Sequence, residues 1–168
     1  MTKNKIDARL EQCKAEGRKA LITFITAGDG GYDCTEKAVL EMAKNGADLI
    51  ELGVPFSDPI AEGPVIQRAN VRALSGGVTT DKVFDMVVKI RKNSSVPMVF
   101  MTYANVVFSY GTERFIKTAA EIGMDGLILP DVPFEEKEEF DSVCKKHGIN
   151  LISLIAPTKS DASFLDKT

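Results

Sequence analysis

The chain has 168 residues, 44% of them hydrophobic and 27% charged, which is enough for one domain with a sizeable core. Twenty-one Lys and Arg against 24 Asp and Glu give a net charge of −3 with no basic cluster, so a nucleic-acid partner is not expected. No signal-peptide pattern opens the chain, and apolar runs of about eight residues are too short to span a bilayer. Cys13, Cys34 and Cys144 show neither metal-ligand spacing nor an even disulfide set, and His147 is the one histidine. A soluble cytoplasmic protein with reduced thiols and no metal site is the expectation.

In chain order, Ile6, Leu10 and Cys13 fall at helical spacing, with Gly17 as a stop. The first strand is expected over Leu21–Ala27. A helical face follows with Ala38, Val39, Met42 and Ala43. Asp48–Val54 reads as the second strand. Pro64 suits the first position of a helix over Val65–Leu74. Phe84, Val87 and Val88 share the next helical face, flanked by Val83 and Ile90. Val96–Tyr103 reads as a third strand, Phe115, Ile116 and Ala119 as a helix, and Gly126–Val132 as a fourth strand. Phe140, Val143, Cys144 and His147 share a last helical face before the strand Asn150–Ala156. The strand runs are apolar throughout rather than alternating, as in a parallel sheet covered on both faces. Strand–helix alternation implies right-handed βαβ crossovers and an α/β fold.

A short pattern recurs in Gly46-Ala47-Asp48-Leu49-Ile50, Gly123-Met124-Asp125-Gly126-Leu127 and Gly148-Ile149-Asn150-Leu151-Ile152. A glycine ends each helix, a short polar residue closes the turn, and a buried strand begins. The units recur roughly every 32 residues, so eight would need roughly 260, the size of a (β/α)8 barrel. Two architectures fit: an open doubly wound sheet of five strands, or an incomplete barrel in one domain over 1–168.

The segment from Glu51 to Pro64 carries the chemistry. Glu51 lies inside an apolar strand, where a carboxylate is costly without partners and its pKa should rise. A raised carboxyl suits general acid–base work near neutral pH. The plainer alternative is a structural ion pair at the strand. Pro55 and Pro59 give the following loop a defined shape, and α/β folds place their sites in such loops. Glu51 and Glu62 are thus placed to face one pocket from strand and loop. The plainer reading of Asp58 and Glu62 is solvated loop acids with a capping role. Tyr103, Asn105 and Asp131 lie at other strand ends. His147 suits a cation at a helix C-terminus. Gly28–Gly31 lacks the spacing of a phosphate loop and reads as a turn.

These runs resemble the tryptophan synthase alpha chain family. The resemblance rests on Glu51-Leu52-Gly53-Val54-Pro55-Phe56-Ser57-Asp58-Pro59, Gly63-Pro64-Val65-Ile66-Gln67, Tyr103-Ala104-Asn105, Asp131-Val132-Pro133 and Phe24-Ile25-Thr26-Ala27-Gly28-Asp29. It implies a (β/α)8 barrel, here incomplete. The implied activity is a lyase of tryptophan biosynthesis that cleaves indole-3-glycerol phosphate to indole and glyceraldehyde 3-phosphate by a retro-aldol step. It also implies no metal or organic cofactor on this chain, and a pyridoxal-phosphate-dependent beta chain as partner in an alpha2beta2 heterotetramer. Residue by residue, Glu51 takes the acid–base role. Glu62 stands where the family commonly has an aspartate on the indole N–H. Phe24, Met101, Tyr103 and Ile128 line the indole pocket. Pro55, Phe56, Ser57 and Asp58 face the beta chain.

Family chains run about another hundred residues and carry the phosphate-binding loops there, where barrels place them. From 168 residues alone, open edges at the first and fifth strands, weak stability or self-association, and negligible lyase activity are expected. A non-catalytic piece that only docks on a beta chain is the alternative. A complete open-sheet enzyme acting on another small molecule is a third reading, disfavoured by the nine-residue run.

Overall fold

The computed structural model describes residues 4–154. Helix α1 spans Lys5–Ala15, β1 Ile22–Thr26, α2 Tyr32–Lys44, β2 Leu49–Gly53, α3 Pro64–Ser75 and α4 Thr80–Arg91. Then come β3 Met98–Met101, α5 Ala104–Tyr110, α6 Thr112–Glu121, β4 Gly126–Ile128, α7 Glu138–His147 and β5 Asn150–Ile152. All five expected strands are present, each shorter than its apolar run. The end of the fifth, at 155–156, lies outside the described residues.

The five strands are parallel and lie in the order β1-β2-β3-β4-β5. A doubly wound sheet reverses its strand order and puts helices on both faces. Here the order never reverses. One face, with Ile50, Leu52, Met98, Phe100, Leu127 and Leu129, packs in a single core with buried residues of α2, α3, α4, α6 and α7. The other face carries Leu49, Val99 and Ile128, which among the described residues cluster with Ile6 of α1 and the partly buried Met101 and Ile152. Helices outside and a small apolar lumen inside make this an arc of a (β/α)8 barrel. Among the described residues no helix is long and apolar enough to cross a membrane.

The recurring glycine–polar turn has a firm physical basis. Gly46, Gly123 and Gly148 all have φ between 72° and 98°, a left-handed turn that a Cβ would strain. The aspartate does more than close the turn. Asp48 donates its amide to Leu21 O and accepts the Leu21 amide on its carboxylate, both at 2.8 Å. Asp125 repeats this on Met98, at 2.8 and 3.0 Å. Each aspartate therefore clamps the start of the neighbouring strand. Arginines complete both clamps. Arg18 reaches Asp48 with two bonds of 2.7 and 2.8 Å, Arg9 adds a contact at 2.9 Å, and Arg91 reaches Asp125 at 2.8 Å.

Two helical expectations need correction. Leu10 and Val88 are both 41% exposed. Helix α1 turns only Ile6 and Cys13 inward, and α4 buries Val83, Phe84, Met86, Val87 and Ile90, a stripe rotated away from Val88. Helix α5, at Ala104–Tyr110, is not expected from the sequence, which places Asn105 at the end of the third strand. Gly28–Gly31 is a turn, as expected; Asp29 is held there by Arg72 through two bonds of 2.7 Å. His147 closes α7 and lies 2.7 Å from Glu113.

Candidate active site

Side chains of paired residues in a parallel sheet point the same way, so the register assigns each strand residue to a face. Phe24 pairs with Glu51, and Glu51 with Val99. Gly53 pairs with Met101, and Met101 with Ile128. Phe24, Glu51, Met101 and Ile128 therefore all lie on the lumen face, above the floor made by Ile6, Leu49 and Val99. The sheet brings together from four strands what the sequence scatters over more than a hundred positions.

Glu51 is half-buried at the middle of β2. No hydrogen bond or ion pair of its carboxylate occurs among the described residues, so the structural ion pair is not found. Burial alone pushes its carboxyl above the usual range. Phe24 leans along the lumen toward Gly53. A Cβ at position 53 would come within 2.7 Å of Phe24 Cζ, so only glycine leaves room for the ring. Thr26 shares this row with Gly53, is 4% exposed, and its hydroxyl has no hydrogen-bond partner among the described residues. Sequence reading missed Thr26. Its signal was a hydroxyl two residues beyond Phe24, and so on the same face of the strand.

The loop from β2 to α3 is anchored at both ends. Val54 donates its amide to Met101 O at 2.9 Å, and Pro64 opens α3. Pro55 is buried and Phe56 half-buried, so the exposed part of this run is Ser57 and Asp58. The Ser57 hydroxyl donates to the Asp58 carboxylate. Glu62 is not a solvated cap. Its carboxylate accepts the Tyr103 hydroxyl, which in turn accepts the Ala61 amide at 2.8 Å. Gln67 donates to the Glu62 carbonyl at 2.9 Å. Burial, and then the bond to Glu62, push the Tyr103 phenol up to about 12. The Tyr103 ring lies 5.0 Å from that of Phe56.

Asp131 belongs to this frame rather than to the lumen. It accepts the Ala104 amide at 3.0 and 3.2 Å and so caps α5 from the loop after β4. Asn105 lies in the first turn of α5, beside a groove of about 380 Å³ along Val54–Ser57. A larger concavity, of about 900 Å³, opens at the other end of the strands around Lys5, Arg9 and Pro97 and holds none of these residues. Among the described residues no group of three His, Cys, Asp or Glu is placed to hold a metal ion.

The arrangement is a half-buried carboxyl with a raised pKa on an apolar wall, and a second carboxylate held on a tyrosine beyond the strand ends. It suits proton transfer to an apolar, planar substrate. Known proteins bear on it. The family model of the tryptophan synthase alpha chain matches residues 10–166. The tryptophan synthase alpha chain of Caldanaerobacter subterraneus subsp. tengcongensis is 49% identical over 158 residues, covering 94% of this chain and 60% of that one. The tryptophan synthase subunit alpha of Legionella pneumophila str. Paris superposes with a TM-score of 0.93 at 43% identity, over 98% of this chain and 63% of that one. The tryptophan synthase complex of Pyrococcus furiosus gives 0.82 at 38% identity, over 86% and 59%. The chain thus spans about 60% of the length of the curated relatives it matches.

Proposed function

Because this chain belongs to the tryptophan synthase alpha chain family, we propose that it serves the retro-aldol cleavage of indole-3-glycerol phosphate to indole and glyceraldehyde 3-phosphate. The observation that carries the reading is Glu51, a carboxyl on the apolar lumen wall with its pKa raised by burial and no partner among the described residues. In this reading Glu51, protonated, delivers its proton to indole C3. The positive charge passes to the ring nitrogen, whose N–H is held by the Glu62 carboxylate. The bond from C3 to the glycerol carbon then breaks. Its electrons restore the aromatic ring, and the glycerol hydroxyl becomes the aldehyde as Glu51 takes up its proton. Protons balance and no external reductant or oxidant is needed.

Phe24, Met101 and Ile128 supply the wall for the indole ring and keep Glu51 desolvated. Tyr103 closes the site over Glu62. Organic cofactor chemistry is assigned to a separate subunit: a pyridoxal-phosphate-dependent beta chain that consumes the indole, in an alpha2beta2 assembly in the cytoplasm. The segment Pro55–Asp58 faces that chain, with Ser57 and Asp58 its exposed part. The Pyrococcus furiosus protein was solved as a tryptophan synthase complex, which supports such a partner.

The test is indole release from indole-3-glycerol phosphate by the intact native chain, alone and with a beta chain, beside Glu51→Gln. Release that falls at least about 100-fold in the variant supports the reading. Equal release by the two would contradict the role of Glu51, and no release by either would point to a chain that only docks.

A further inference from the structure

The Tyr103 side chain does something that an indole-pocket wall does not require. A phenol has one proton to donate and oxygen lone pairs to accept with. Here the proton goes to Glu62 and a lone pair takes the Ala61 amide. The hydroxyl therefore has no donor left for a substrate. The residue is 3% exposed, its ring packs on Phe56, and its backbone leads into α5, whose first amide is held by Asp131. Tyr103 is rigidly mounted on three sides. Glu62 is the opposite, a long side chain on a proline-bounded loop with three rotors to fix. Among the described residues its carboxylate has no other hydrogen-bond or ion-pair partner.

We propose that Tyr103 is a positioning residue, whose buried hydroxyl locks the Glu62 carboxylate and the Ala61–Glu62 backbone in one geometry and acts on the chemistry only through Glu62. This rests on the reading of Glu62 as the group that meets the indole N–H. The lock explains how a glutamate, with one more rotor than an aspartate, holds a single position. The missing rigidity comes from the neighbouring strand end. It also ties Glu62 to Phe56, so the carboxylate and the inner part of the partner-facing segment are braced by one ring.

The experiment uses the intact chain with Tyr103→Phe, which removes the hydroxyl but keeps the ring on Phe56. Its kcat should fall about 10-fold while KM changes by less than about 2-fold, since a charged hydrogen bond of this kind is worth roughly that factor. In a Glu62→Gln background the same substitution should change kcat by less than about 2-fold, because residues acting as a unit are not additive. Unchanged kcat in Tyr103→Phe, or a full second loss in the Glu62→Gln background, overturns the proposal. Hydrogen exchange at the Ala61 amide gives a readout independent of turnover. It should speed up about 10-fold in Tyr103→Phe, and unchanged protection overturns the lock. A wild-type chain that releases no indole contradicts the proposed function instead, and the exchange result still decides the lock. Should Tyr103→Phe not fold, Glu62→Ala is titrated by tyrosinate absorbance. One phenol should move from about 12 toward the ordinary value near 10, and no movement overturns the proposal.

Discussion

At the N-terminal end of the strands, Asp48 lies against Arg18, Arg9 and the Leu21 amide, and Asp125 against Arg91 and the Met98 amide. Three residues beyond Asp48, inside the strand that it precedes, Glu51 faces the lumen with no partner among the described residues. The two carboxylates differ in what surrounds them. The Arg18 guanidinium and the Leu21 amide hold Asp48 well below the usual carboxylate range, while burial without compensation lifts Glu51. Thr26 adds to the lumen side a second polar group that is unpaired among the described residues. One end of the sheet pairs its carboxylates, and the other leaves polar groups without partners among the described residues; under the proposed function that second end does the chemistry, the division of labour expected of a barrel.

The sharpest way to break this contrast is at the paired end. Asp48→Ala leaves two arginines and a strand amide without their acceptor, and it should cost about 3 kcal/mol of stability. Denaturant unfolding should show a lower midpoint with an unchanged slope. A loss within the error of the measurement would mean that the clamp is ornamental. At the site end, substitutions should spare stability and remove rate. Glu62→Ala should lower turnover about 100-fold, whereas Glu62→Asp, which keeps a carboxylate, should lower it less than about 10-fold. Steady-state indole release checks both, and equal damage by the two would refute the role given to the carboxylate.

Several of these features were legible from composition and pattern, for stated reasons. The five strands stood out because a parallel sheet needs uninterrupted apolar runs. The glycine–aspartate repeat marked where strands begin. Glu51 stood out because it is a carboxylate in the middle of an otherwise apolar strand, with Leu49, Ile50, Leu52 and Val54 around it. What escaped depends on distant partners. Helix α5 has a valine pair and no capping side chain of its own, and its cap, Asp131, comes 27 positions after Ala104. Arg18 and Arg91 meet Asp48 and Asp125 across 30 and 34 positions, so no local pattern marks them as partners. The bond from Tyr103 to Glu62 spans 41 positions and crosses from one strand end to the next loop, so no local pattern announces it.

Acid and alkali should act on the two ends with opposite sign. Asp48 has a depressed folded pKa, so its contribution is present above the unfolded value near 3.9 and fades as pH falls below it. Glu51 has a raised folded pKa, so its protonated form favours folding below the unfolded value near 4.3, and that contribution is lost as pH rises through the folded value. Unfolding free energies of the wild type and Glu51→Gln, followed from pH 3 to 7, should therefore diverge as pH rises, with the variant gaining on the wild type. Parallel curves would mean that Glu51 does not titrate differently in the folded state.

Turnover and thermal unfolding of Glu51→Gln, measured on one preparation of the intact chain at neutral pH, test the central claim most directly. A carboxyl kept uncommitted for chemistry predicts opposite signs: indole release at least about 100-fold lower and a midpoint above the wild type's. Normal release, or a lost activity that comes with a lower midpoint, would show that Glu51 holds the fold together rather than carrying the proton.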